Sequence, residues 1–318
     1  MAIMNDTQRF LHFNLTHTGA DSEDNHYVDL AKLLSVANRR SYRQGMVYHI
    51  ANIVFDDAQA DADIDVCTMP QNWTTQRAWE LGFKNWRMQQ KAALLALGQS
   101  DSGTWADFKI HLNKDSIDDA DQAALIDVNG NTFSYGDWDH SSFEIPQDGA
   151  TDPTKAGIIM MGRDYGSHPD LNPISLLAQL EYAMRIPQED PALDASAQYS
   201  IYAAMSADQP DTDVLEEVIK SIQDDNDLPP YDRTKIMGGE DAGAGRPSSP
   251  WVARTCMIRG GSNSSSPVAA VGGFAAPCGL LMIETKSTLA SNSIGVTVEL
   301  VPGEYKGVHA YPMRGGGF

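Results

Sequence analysis

Ile294-Gly295-Val296-Thr297-Val298-Glu299-Leu300 decides how this chain is to be read. Ile294, Val296, Val298 and Leu300 share one face of an extended segment; Gly295, Thr297 and Glu299 share the other. A period of two with β-branched residues on the apolar side predicts a half-buried strand. Upstream, Cys278-Gly279-Leu280-Leu281-Met282-Ile283-Glu284 is a short continuous apolar run, the pattern of a strand covered on both faces. Val268 to Phe274 predicts another strand, and downstream Pro302-Gly303 is turn chemistry before Tyr305 to Tyr311 alternates again. A sheet built from these pieces needs a second layer to cover its apolar face.

The N-terminal part supplies candidates for that layer. Arg9 to Leu15 predicts a strand, followed by a polar turn through Gly19 to Asn25 and a helix within His26 to Arg40. Gly45 to Phe55 and Ile64 to Cys67 return to strand character. Trp73 to Leu97 predicts the one long helix, with Trp79, Phe83, Trp86, Leu94 and Leu97 at helical spacing. Trp105 to Leu112 and Ala124 to Tyr135 predict further strands, the second folding back at Asn129-Gly130. Asp137 to Asp152 reads as an acidic loop, Gly157 to Met161 as a strand and Pro173 to Arg185 as a helix. Gln198 to Met205 predicts a strand and Asp213 to Ile222 a short helix. Asp224 to Pro250 is irregular, and Trp251 to Arg259 opens the terminal β block. The expected fold is all-β with helical insertions, a β-sandwich forming one domain over residues 1–318. The stretch 224–250 is either a surface loop or a boundary between two β domains.

Charge narrows the partners. The chain of 318 residues carries a formal net charge of −20, with fourteen acidic against four basic residues between Asp101 and Asp170. Such a surface keeps a protein soluble and repels polyanions. Neither end carries the clustered Lys and Arg that tight phosphate-backbone binding needs, so strong direct nucleic-acid binding is not expected. No window has the apolar length of a membrane span, and Met1 to Asp6 lacks the basic and apolar regions of a signal peptide.

Motifs for chemistry are absent. The histidines at 12, 17, 26, 49, 111, 140, 168 and 309 form no zinc spacing. There is no G-x-S-x-G elbow and no phosphate-binding G-x-x-x-x-G-K-[ST] loop. Cys67, Cys256 and Cys278 lack metal spacing, and their pairing is left open by the sequence. Asp61-Ala62-Asp63-Ile64-Asp65 imitates the start of a calcium loop, but Val66 stands where the glycine belongs and Asn72 where the terminal glutamate belongs. A calcium ion at subunit contacts is the one cofactor this leaves in view. No catalytic residue is assigned, and an enzyme is not expected. Trp73, Trp79, Phe83 and Trp86 cluster on one helix and are candidate interface residues, since aromatic anchors are enriched at subunit contacts.

Two segments carry a resemblance. Met69-Pro70-Gln71-Asn72-Trp73-Thr74-Thr75-Gln76-Arg77-Ala78-Trp79 resembles the strand-to-helix passage of capsid proteins of small tailless icosahedral viruses. Pro277-Cys278-Gly279-Leu280-Leu281 with Val298-Glu299-Leu300-Val301-Pro302-Gly303-Glu304-Tyr305-Lys306-Gly307-Val308 is similar to their closing strands. The resemblance implies a jelly-roll β-sandwich, with a double jelly roll as the alternative, that self-assembles into an icosahedral virion shell. The implied partners are many copies of the chain itself, with minor capsid proteins or an internal membrane beside them, and the implied location is the virion, assembled in the host cytoplasm. The Arg-rich arm of many such proteins is missing here. The competing expectation is a β-sandwich glycan-binding or appendage protein with calcium-dependent loops.

Overall fold

Strand β11 (Ser291–Leu300) buries every second residue, placing Ile294, Val296, Val298 and Leu300 in the core as their alternation predicts. Its antiparallel partner β1 (Phe10–Thr18) does the same with Leu11, Phe13 and Leu15, in the register Leu11↔Val298, Phe13↔Val296 and Leu15↔Ile294. Each fully buried aliphatic or aromatic side chain of this kind contributes about 1.5–3 kcal/mol relative to exposure. The computed structural model describes residues 7–56, 62–98, 107–117, 122–127, 129–145, 154–162, 173–185, 254–258, 268–289 and 291–313. These fall into two compact units, the first comprising Met1–Gln71, Trp105–His140 and Trp251–Phe318, the second Asn72–Thr104 and Ser141–Pro250. The expected strand over 198–205, the helix over 213–222 and the irregular stretch 224–250 lie outside the described residues.

The first unit is a β-sandwich whose strands pair in a nested order. The other main strands are β2 (Glu23–Asp29), β3 (Met46–Asp56), β4 (Ala62–Thr68), β8 (Arg254–Ile258), β9 (Val268–Pro277) and β10 (Leu280–Ser287). β1 pairs with β11, β2 with β10, β3 with β9 and β4 with β8, all antiparallel. The chain therefore runs out and returns along itself as one long ribbon. β11 also pairs with β3, and β10 with β4, which folds the ribbon into two sheets. One sheet has the order β1-β11-β3-β9, with the short β14 (Ala310–Pro312) beside the first residues of β3 where β11 has ended. The other has the order β2-β10-β4-β8. Val28, Ile64, Val66, Leu281 and Ile283 of one sheet and Phe13, Ile53, Phe55 and Val296 of the other belong to a single hydrophobic cluster. Pro302–Gly303 (β12) and Gly307–Val308 (β13) form a tight pair between β11 and β14.

Local chemistry explains the departures from expectation. The helix expected from His26 begins only at Leu30 and runs to Asn38 (α1), because Glu23 to Asp29 is claimed as a strand by β10. Asp29 marks the change: it is extended, and its carboxylate accepts from the Lys32 N–H at 3.1 Å, an N-cap. Cys278 does not lie in a strand. With φ of 56° and 67°, Cys278 and Gly279 form the corner where the chain passes from β9 in one sheet to β10 in the other. Cys67 in β4 and Cys278 are buried free thiols, the latter pushed well above the usual thiol range by its burial.

The strand expected over Trp105 to Leu112 is not formed in the described part, residues 107–112, which holds only a single bridge at His111. The reversal expected at Asn129-Gly130 is present as a single bridge, Ile126↔Thr132, not as a hairpin of regular strands. Backbone bonds from Asp127 N–H to the Asn131 carbonyl and from Phe133 N–H to the Leu125 carbonyl hold the arms, while the Asp127 carboxylate accepts from the N–H groups of Asn129 and Asn131, both at 2.8 Å, and so shapes the turn.

In the second unit, α2 (Trp73–Ala96) starts at Asn72, whose side chain accepts from Thr75 N–H at 2.9 Å. Its first half buries Thr74, Thr75, Ala78, Trp79, Gly82, Asn85 and Trp86. Gly82 lies against Leu176 of α3 (Leu176–Arg185) so closely that an added Cβ would fall 2.7 Å from its Cδ2. Strands β5 (Ser142–Ile145), β6 (Thr154–Ile159) and β7 (Ile174–Ser175) complete the unit, β5 antiparallel and β7 parallel to β6. Among the described residues no helix is long and apolar enough to cross a membrane.

Candidate functional site

Helix α1 and the segment Phe133–Trp138, both in the first unit, enclose a cleft of about 630 Å³. On the helix side it is lined by Lys32, Ser35, Val36, Ala37, Arg39 and Arg40, and on the other by Phe133, Tyr135 and Trp138, with Asp107 and Lys109 beside them. Four cations therefore face two carboxylates, Asp107 and Asp137, in a chain whose net charge is −20.

Asp29 ties the two walls together. Buried at the start of α1, its carboxylate caps the helix and also accepts from Trp138 Nε1 at 2.9 Å and from Gln44 Nε2 at 3.0 Å. The Trp138 indole is thus held at its edge by the residue that starts the opposite wall. Burial raises the Asp29 carboxyl above its ordinary value, while these hydrogen bonds and nearby Lys32 oppose the shift.

The cations sit over the aromatic faces. Lys32 Nζ lies 4.0 Å from the centroid of Tyr135, and Lys109 Nζ lies 4.3 Å from that of Trp138, which is cation–π geometry. Lys109 also approaches Asp107 at 4.0 Å. Phe133 and Tyr135 are 47% and 50% exposed, so neither fills a core position. Arg39 closes α1 in the left-handed conformation, with φ of 52°. Behind the wall, His140 stacks on His111 with centroids 3.7 Å apart. Burial, then the electrostatic effect of neighbouring His111 and of the Lys32 and Lys109 ammonium groups, pulls the His140 pKa down to about 2, so the ring stays neutral.

This arrangement can hold an anion beside a planar or apolar group. Among the described residues no three His, Cys, Asp or Glu are grouped to hold a metal ion. Asp63 and Asp65 occupy alternate positions on β4, on the face opposite buried Ile64 and Val66, and Asp61 lies outside the described residues.

The aromatic residues singled out in the sequence lie elsewhere, on α2 of the second unit. Trp79 and Trp86 are 6% and 9% exposed, Phe83 is half-buried and stacks on Trp79 at 5.3 Å, and Trp73 is 48% exposed. Sequence reasoning passed over the cleft because its parts are far apart along the chain. The local signal was the aromatic spacing Phe133-x-Tyr135-x-x-Trp138, hidden in a stretch read as a strand followed by an acidic loop.

Compared with protein-family models, with curated proteins and with solved structures, the chain matches none.

Proposed function

We propose that this chain is a structural subunit whose first unit is a single jelly roll and whose function is to assemble, through many symmetric copies, into a closed shell such as an icosahedral capsid. The observation that carries this reading is the nested pairing β1·β11, β2·β10, β3·β9 and β4·β8, folded into sheets of order β1-β11-β3-β9 and β2-β10-β4-β8. Eight strands in two Greek-key sheets are the jelly-roll architecture that capsid domains share with lectins and cupins. The fold alone does not select among those functions. What favours assembly is the last third of α2. Lys91 to Ala93 and Leu95 to Leu97 are exposed, with Leu95 and Leu97 at 65% and 72%. A helix end that presents leucine to water on a single chain is suited to burial against another copy, as a closed symmetric assembly provides.

The test is the size of the purified recombinant protein, by light scattering and negative-stain microscopy, across salt and calcium concentrations. Closed particles or regular capsomers are expected, and Leu95→Lys with Leu97→Lys should disperse them into folded subunits. A monodisperse 34.7 kDa monomer under every condition would overturn the assembly reading.

A further inference from the structure

We infer that the cleft between α1 and Phe133–Trp138 is a nucleotide-binding site, one that takes a base and its phosphate as presented by single-stranded nucleic acid. Sequence charge argued against such a partner. The tertiary structure changes the argument, because it gathers Lys32, Arg39, Arg40 and Lys109 from separate parts of an acidic chain around one cavity. Around this cavity the four cations outnumber the two carboxylates Asp107 and Asp137, against the balance of the whole chain. Phosphate is held by such groups, and arginine in particular suits its geometry.

Charge alone would accept any anion; the aromatic wall is what narrows the choice. Phe133 and Tyr135 are separated by one small residue, Ser134, and both are about half exposed. Exposed aromatics beside a positively charged groove are the combination by which single strands are bound: bases stack on rings while phosphates track the cations. Here the two functions meet at the same points, since Lys32 Nζ lies over Tyr135 and Lys109 Nζ over Trp138. Trp138 is fixed by its bond to buried Asp29, so this wall is preorganised. A cavity of about 630 Å³ is in the range that encloses a small ligand. Asp107 and Asp137 on the lining oppose phosphate, and they limit how many phosphates the site accepts. A neutral glycan would use the rings and leave four cations without a role. An acidic peptide would use the cations and leave the rings without one.

This site is independent of shell assembly, and the experiment keeps the two apart by using the full-length chain dispersed by Leu95→Lys and Leu97→Lys. Binding of a fluorescein-labelled twelve-residue oligothymidylate is followed by anisotropy at several salt concentrations, with thymidine monophosphate, inorganic phosphate, polyglutamate and a neutral oligosaccharide as competitors. The oligonucleotide should bind, and thymidine monophosphate should displace it at lower concentration than inorganic phosphate. Tyr135→Ala and Phe133→Ala should each weaken it roughly 5- to 150-fold. Both side chains are exposed, so folding is retained, and far-ultraviolet circular dichroism checks this. Arg39→Ser with Arg40→Ser should flatten the logarithmic salt dependence by about 1.4. Arg77→Ala, on the exposed side of α2, should change nothing. Absence of binding at low salt would overturn the proposal. So would binding that ignores the aromatic substitutions, or displacement by polyglutamate or the oligosaccharide as readily as by thymidine monophosphate.

Discussion

The side-chain amide of Gln44 pairs with both backbone groups of Ile110. The Ile110 N–H donates to Gln44 Oε1 at 2.6 Å, and Gln44 Nε2 donates to the Ile110 carbonyl at 2.9 Å. Gln44 is fully buried, so one side chain does for this segment what a neighbouring strand would do. Gln44→Leu keeps the volume and strands both Ile110 groups. With about 1–3 kcal/mol for each of the two buried groups left unpaired, the loss of stability should be about 2–6 kcal/mol, measured by urea denaturation. A loss below 1 kcal/mol would mean that water replaces the amide.

Asp29 receives Gln44, Trp138 and the Lys32 N–H together, so Asp29→Asn is not conservative. Asparagine can keep the cap, but its NH₂ then faces two donors, and Gln44 cannot turn over without losing Ile110. Stability should fall by about 1–3 kcal/mol. The pH dependence has a defined sign. Burial raises the folded-state pKa above the ordinary 3.8, so the folded state holds this proton more tightly than the unfolded chain. The favourable contribution is complete below 3.8 and is lost as pH rises to the shifted value. The difference between wild type and Asp29→Asn should therefore grow on acidification, read from denaturation midpoints at successive pH values.

His140 acts in the opposite direction. Its folded pKa is pulled to about 2 from an ordinary 6.5 by burial, then by the electrostatic effect of His111 and of the Lys32 and Lys109 ammonium groups. Below 6.5 the unfolded chain binds a proton that the folded state refuses, so stability decreases as pH falls, by up to about 1.4 kcal/mol per pH unit. His140→Gln should remove most of that slope between pH 6 and pH 4 (roughly the window of the linkage argument) while leaving the cleft residues in place. An unchanged slope would show that the ring is accessible to water.

Arg39 separates stability from binding. It occupies the left-handed position that ends α1, where glycine carries no steric cost. Arg39→Gly should raise stability by up to about 1 kcal/mol in thermal denaturation, while removing one of the cations that line the cleft. A variant both less stable and unaltered in oligonucleotide affinity would contradict both assignments.

The sandwich strands were largely legible in the sequence, because a strand with one buried face writes its own period. Ile294 to Leu300, Arg9 to Leu15 and Gly45 to Phe55 were read close to their observed bounds. The long helix was equally clear and starts at Trp73 as read. The misreadings have local causes. His26 to Asp29 has residues acceptable to a helix but is held in a sheet by β10, a partner about 250 residues away. At Asn129-Gly130 the reversal forms with a single bridge in place of regular strands, and the Asp127 carboxylate shapes its turn.

Sequence alone determined the strands at Arg9 to Leu15, Gly45 to Phe55 and Ile294 to Leu300, the helix that starts at Trp73, and that the chain as a whole is acidic, because periodicity, capping residues and charge are properties of neighbours along the chain. Only the tertiary structure decided that β1 closes against β11 and β4 against β8, since backbone ladder bonds carry no label for their partner and register is set by packing two faces into one core. It also decided the cleft. Lys32 meets Tyr135 and Asp29 meets Trp138 across about a hundred residues of chain, and the local balance of charge follows from which charges the fold brings together, not from how many the chain contains.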